Sequence, residues 1–214
     1  MTDLANATAL TRTPTQLPMS WYFDPVIAEI EQRTLFDSGP CYMGHELMVP
    51  HVGDYYALDW MGNGKALVRS DSGPELLSNV CRHRQAIILR GRGNTRNLVC
   101  QVHGWTYDLQ GKLLGAPQFP DNPCLDLPRT PLTSWNGLLF AGPRDVSADL
   151  AGFSLAQDYD LAGHVLERME VAEYDFNWKA FIEVYLELYH VGPSHPGLGQ
   201  FVDPTVFRWE FGER

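Results

Sequence analysis

Two short clips carry the residues of this chain best equipped for chemistry: Cys81-Arg82-His83 and Cys100-Gln101-Val102-His103, with sixteen residues between them. Thiolates and imidazoles are ligands for zinc and for iron-sulfur centres, and their spacing separates the two. A zinc finger pairs two cysteines and then two histidines, like with like. Here each clip mixes one Cys with one His, so each can offer a thiolate to one iron and an imidazole to another. A second set lies downstream: Glu183, Glu187, His190 and His195. On a helix the first three, at i, i+4 and i+7, share one face, opposite Trp178, Phe181, Tyr185 and Leu188. By residue type alone, an amphipathic helix with its aromatic side in a core and its acids in water accounts for that set better than a metal site does.

The elements that must position these residues are legible from periodicity and turn chemistry. From about Gly44 to Leu139, short β-branched and aromatic runs predict strands at Glu46-Met48, Tyr55-Leu58, Ala66-Arg69, Glu75-Asn79, Leu98-Val102, Thr106-Asp108, Lys112-Leu114 and Leu138-Phe140. Gly62-Asn63-Gly64, Ser72-Gly73-Pro74, Gly91-Arg92-Gly93-Asn94 and Gln110-Gly111 punctuate them as turns, the pattern of an antiparallel all-β module. Both clips follow strands and belong in loops at strand ends. Before the module, Asp24-Pro25 opens a helix to Leu35, with Asp24 as N-cap and Pro25 at its first position. After it, Asp145 to Asp160 reads as a boundary, Val165 to Tyr174 as a strand, and Phe176 to Tyr189 as a helix ended by Gly192-Pro193. Phe207, Trp209 and Phe211 alternate with polar residues as in a strand. The expectation is an α+β chain in three parts: an arm and helix over 1-43, the β module over 44-145, and a further domain over 146-214.

Composition narrows the function classes. Sixteen Lys and Arg against 26 Asp and Glu give a net charge of −10, which argues against nucleic-acid binding. The first eighteen residues are polar and Thr-rich, with no apolar core of a signal peptide, and no run is long enough to span a bilayer. A cytoplasmic, non-membrane protein is the expectation, in a compartment where thiols stay reduced. Cys41 and Cys124 have no clip partner and are expected to be buried free cysteines. Arg82, Arg84, Arg90, Arg92 and Arg96 form a basic island suited to docking an acidic partner.

The clips with their flanks, Asn79-Val80-Cys81-Arg82-His83-Arg84 and Cys100-Gln101-Val102-His103-Gly104-Trp105-Thr106-Tyr107, resemble the Rieske motif of the α subunits of Rieske non-heme iron oxygenases, the ring-hydroxylating type. Asn177-Trp178-Lys179, Glu183, Glu187, Tyr189-His190 and His195-Pro196 are similar, in order and spacing, to the catalytic segment of the same family. The resemblance implies an all-β antiparallel Rieske domain followed by the beginning of a helix-grip (START/Bet v 1-like) catalytic domain. It implies a [2Fe-2S] cluster held by Cys81, His83, Cys100 and His103, without the loop disulfide of respiratory Rieske proteins. It further implies a mononuclear Fe(II) on His190 and His195, with Glu187 relaying electrons between subunits towards His103.

The activity so implied is that of a terminal oxygenase, a mono- or dioxygenase that hydroxylates an organic substrate, expected to be aromatic, in aromatic hydrocarbon catabolism. Its electrons would come from NAD(P)H through a partner reductase or ferredoxin, and the subunits would form a homo-oligomer, a trimer or a multiple of it. The third iron ligand is not found in the pattern; Asp203, beside Pro204, is a poor candidate. The chain is expected to end early relative to the family, leaving Phe207, Trp209 and Phe211 as an exposed aromatic edge. The alternative is a ferredoxin-like Rieske electron carrier without a catalytic iron, which has no use for the His190 and His195 pair.

Overall fold

Side chains along an extended run alternate between two sides, so a strand that is apolar at consecutive positions belongs to a sheet covered on both faces. The computed structural model describes residues 17–152, 161 and 163–203. It divides into two compact units, one running from Gln32 to Val171 and the other built from residues on either side of it, 17–31 and 172–203.

In the first unit the described residues form antiparallel strands β1 (Cys41–His45), β2 (Asp54–Ala57), β3 (Lys65–Ser70), β4 (Gly73–Ser78), β5 (Arg92–Asn94), β6 (Leu98–Val99), β7 (Thr106–Tyr107), β8 (Leu113–Gly115), β9 (Arg129–Thr130), β10 (Thr133–Trp135) and β11 (Leu138–Ala141). They make three sheets, ordered β5-β2-β3-β4-β9, β1-β11-β10 and β6-β7-β8. The five-stranded sheet is the middle layer. Ala66 and Val68 of β3 and Leu77 of β4 pack into one core with Leu98, Trp105, Tyr107 and Leu113. Leu67 and Leu76, on the opposite face, pack into a second core with Met43, Val49, Leu58 and Leu139. Burying each such aliphatic side chain contributes about 1.5–3 kcal/mol. Asn136 and Gly137, with φ of 48° and 83°, join β10 to β11 in a two-residue turn whose twist matches that of the strands.

Several expected elements differ. Glu46–Met48 is a 3-10 turn, because the His45 ring accepts a hydrogen bond from Leu47 N at 3.0 Å and caps it. Arg92–Asn94, read as a turn from its glycines, pairs with β2 as an edge strand. Residues 163–174 contain no strand: Val165 and Val171 are exposed, and Arg168 spends its guanidinium on neighbouring Glu170 at 2.8 Å. Cys124 is exposed rather than buried, at a left-handed φ of 54°.

In the second unit Asp24 Oδ1 accepts from Val26 N at 2.9 Å and opens the helix Pro25–Glu31, as expected. The helix expected over 176–189 is shorter, Trp178–Tyr185, and a separate turn, Val191–Ser194, contains Gly192-Pro193 instead of being stopped by it. Proline fits there because it stands in the first turn, where its missing N–H has no helical partner to lose. The aromatic side expected in a core is open: Trp178, Phe181 and Tyr185 are 39, 45 and 69% exposed. Phe207, Trp209 and Phe211 lie outside the described residues. Among the described residues, no helix is long and apolar enough to cross a membrane.

Candidate metal centres

The two clips are copies of one backbone turn. Cys81 N donates to Ala86 O at 2.8 Å and Gln85 N to Cys81 O at 3.0 Å; Cys100 N donates to Trp105 O at 2.8 Å and Gly104 N to Cys100 O at 2.9 Å. The fifth residue of each turn is left-handed, Gln85 at φ 56° and Gly104 at φ 70°. The histidine stands third in the first turn and fourth in the second, which is why the sequence spacings differ by one.

Each turn is anchored at its base. Asn79, buried, closes a clasp over the first: its Nδ2 donates to Asn63 O at 2.9 Å and Leu89 O at 2.8 Å, and its Oδ1 accepts from Leu89 N at 2.8 Å. The second is the connection between β6 and β7, paired Leu98 to Tyr107 and Val99 to Thr106. Tyr107 ties the two together, its hydroxyl accepting from Arg82 N at 3.1 Å and lying 3.5 Å from Cys81 Sγ. Burial, and then that contact with Cys81, push the phenol well above its ordinary range.

Cys81 and Cys100 are 1 and 2% exposed, and the His83 and His103 rings meet edge to face at 4.6 Å. His103 is exposed, whereas His83 is held on two sides: Trp105 stacks on it at 5.1 Å and 5°, and Phe119 meets its edge at 5.8 Å. Burial, then the neighbouring His103 and Arg84, hold His83 below the usual imidazole range, a shift towards the neutral form that binds metal. His83 Nδ1 and Trp105 Nε1 are buried polar atoms with no partner among the described residues. Buried thiols, adjacent imidazoles and an unsatisfied ring nitrogen fit an iron-sulfur group. All five arginines of the basic island are exposed.

The second set is only partly assembled as the pattern suggested. The helix ends at Tyr185, with Leu186 as its cap, so Glu187 and His190 do not continue the face that carries Glu183. The cause is Glu187 itself, whose carboxylate turns forward to accept from Tyr189 N at 2.5 Å and His190 N at 3.3 Å and competes with the helical ladder. Its other oxygen stands 2.5 Å from His190 Nδ1, and the pair lowers the Glu187 pKa. His190 and His195 flank the turn Val191–Ser194 with rings 5.4 Å apart. Glu183 is elsewhere occupied, accepting the Tyr22 hydroxyl. Asp203 is exposed, and among the described residues no three His, Cys, Asp or Glu side chains gather around one ion. The donor set at His190 and His195 fits two positions of an iron site. Sequence reasoning missed the anchoring roles of Asn79, Trp105 and Tyr107, which stand within the quoted motifs, and of Phe119, for which the sequence held no signal.

Residues 41–131 match the family model described as the Rieske [2Fe-2S] domain, and residues 160–212 the one described as the ring hydroxylating alpha subunit, catalytic domain. A putrescine 2-hydroxylase of Ralstonia nicotianae is 57% identical over 213 residues, covering 100% of this chain and 58% of the relative. Another, of Bordetella bronchiseptica, is 46% identical over 228 residues, covering 100% and 53%. The chain spans about half the length of these curated relatives. Among solved structures, the quaternary ammonium Rieske monooxygenase CntA bound to an inhibitor superposes with a TM-score of 0.74 at 24% identity, over 87% of this chain and 56% of that one, which shows a shared fold. The two matched domains imply a [2Fe-2S] cluster and a mononuclear iron. With a Rieske domain followed by catalytic-domain sequence in a single chain, this protein belongs to the Rieske non-heme iron oxygenases, in the α-subunit family.

Proposed function

We propose that this chain provides the terminal component of an oxygenase that hydroxylates an aliphatic amine of the diamine class, with Cys81, His83, Cys100 and His103 holding the [2Fe-2S] cluster and His190 and His195 the mononuclear iron. The observation that carries the proposal is the paired turn: two buried thiols and two imidazoles 4.6 Å apart, one with an unsatisfied buried nitrogen. When bound, the cluster supplies single electrons and the iron activates O2.

The chain's own residues set the terms for that chemistry. Cys81 and Cys100 are withheld from solvent, while His103 presents an imidazole at the surface, open to a second subunit. Glu187 holds His190 by Nδ1, which leaves Nε2 as its ligand nitrogen. The exposed arginines flank the first clip and give an acidic electron donor, a reductase or ferredoxin, a complementary surface. An aliphatic amine replaces the aromatic substrate expected from the family name because the relatives at 57% and 46% identity are named for putrescine. A ferredoxin-like carrier is the weaker reading, since it leaves the Glu187, His190 and His195 arrangement without a use.

The test is anaerobic reconstitution of the full chain with iron and sulfide, followed by iron counting, electron paramagnetic resonance and turnover on putrescine and on an aromatic acid with a reductase. About three irons per chain is the expected outcome, about two reduces the proposal to an electron carrier, and bound zinc without iron overturns it. Product from the aromatic acid alone overturns the substrate class.

A further inference from the structure

The triplet Asn177-Trp178-Lys179 is the part of the sequence pattern to which no function has been attached, and its three side chains share one task. Asn177 Oδ1 accepts from Lys179 N at 2.9 Å and starts the helix Trp178–Tyr185, while Asn177 Nδ2 donates to Tyr22 O at 3.0 Å. Trp178 Nε1 donates to Glu31 Oε2 at 3.0 Å. Lys179 Nζ donates to both oxygens of Glu31, at 2.6 and 2.8 Å, and lies 5.6 Å from the centre of the Tyr22 ring and 5.4 Å from that of Trp178. The Lys179 side chain is 5% exposed and that of Glu31 13%.

Lysine is rarely buried, because its ammonium needs a constant counter-charge to replace water. A buried ion pair contributes little net stability over an apolar pair of the same size, but removal of one member leaves the other stranded. Such a pair suits a latch, which fixes one geometry, better than a glue. The helix that starts here has Phe181, Ile182 and Val184 between 45 and 47% exposed, so its apolar side chains do little to hold it in place among the described residues.

We propose that Glu31 with Asn177-Trp178-Lys179 forms a positioning latch that sets the start and rotation of the helix Trp178–Tyr185, and with it the place of the Glu187 and His190 pair just beyond its end. The latch makes the N-terminal helix a working part of the catalytic segment. Its bearing on iron rests on the reading of His190 and His195 given above.

Hydrogen exchange on the reconstituted full chain tests it, comparing Lys179→Met, Glu31→Gln and the double variant that carries both. Lys179→Met is expected to speed exchange in peptides spanning 178–195 by on the order of 100-fold, with exchange over 65–107 and the cluster spectrum unchanged. The double variant, which strands no charge but has no latch either, is expected to exchange more slowly than Lys179→Met yet still faster than the unmodified chain, and iron retained outside the cluster should fall in both variants. Unchanged exchange over 178–195 in Lys179→Met overturns the latch, as does a double variant protected as well as the unmodified chain. If the unmodified chain retains only cluster iron, the reading of His190 and His195 fails, while the exchange result still decides the latch.

Discussion

Gln85 and Gly104 occupy the same place in two copies of one turn: each is left-handed, and each donates its amide to the carbonyl of the cysteine four residues before it. Only Gly104 meets that backbone conformation without strain, because a side chain at positive φ crowds its own carbonyl. Gln85→Gly is therefore expected to stabilise the domain by about 0.5–1 kcal/mol and Gly104→Ala to destabilise it by about 1–2 kcal/mol. Urea unfolding followed by tryptophan fluorescence measures both, and a stabilising Gly104→Ala would contradict the shared turn.

Asn79 satisfies three backbone groups around the first clip from inside the core. Asn79→Ala leaves those groups buried and unpaired, an expected loss of about 2–4 kcal/mol. The cluster spectrum of this variant should bleach at lower denaturant than that of the parent; equal midpoints would deny the clasp its role.

Replacing His83 or His103 by Cys exchanges a neutral imidazole for an anionic thiolate. A cluster should still assemble, but at a lower reduction potential, since added negative charge opposes the incoming electron. A potentiometric titration monitored by electron paramagnetic resonance decides, and a raised or unchanged potential would speak against the ligand assignment.

Glu187→Gln retains an acceptor oxygen towards His190 but removes its charge. Both metals should stay in place while product formed per electron consumed drops. Glu187→Ala, which removes the contact altogether, should weaken mononuclear iron binding by roughly 10–100-fold. Full coupling in the Gln variant would exclude Glu187 from the electron path.

Acid should act on the second unit through two carboxylates. The Lys179 hydrogen bond lowers the Glu31 pKa, and the His190 hydrogen bond lowers that of Glu187. A carboxylate with a depressed folded pKa stabilises fully above its unfolded value, about 4.3, and loses that contribution as pH falls through the folded value. Hydrogen exchange over 178–195 is expected to quicken below about pH 4 while exchange over 65–107 holds. Uniform acceleration across both regions would count against the two contacts.

The β module was largely readable because alternation and turn residues are local signals. Leu67 facing one core and Ala66 and Val68 the other follows from a period of two. The clips were readable because their ligand types are rare and their spacing is tight. What escaped was whatever depended on a side chain acting on a backbone at close range. The Glu187 carboxylate ends a helix that periodicity would have carried to Tyr189, and the His45 ring winds Glu46–Met48 into a turn. Contacts between residues distant in sequence, such as Lys179 with Glu31 and Phe119 with His83, leave no periodic trace at all.

The Tyr107 hydroxyl also bears on how this module can diversify. Because one phenol fastens Arg82 N and Cys81 in the first clip from the strand that follows the second, the distance between the clips does not depend on the chain that connects them. Residues 90–97 in that connection are nearly all exposed. Their backbone is held by the pairing of Arg92–Asn94 with β2, but the outward side chains can change in charge, so the surface over this part of the module can be rewritten without moving the redox site beneath it.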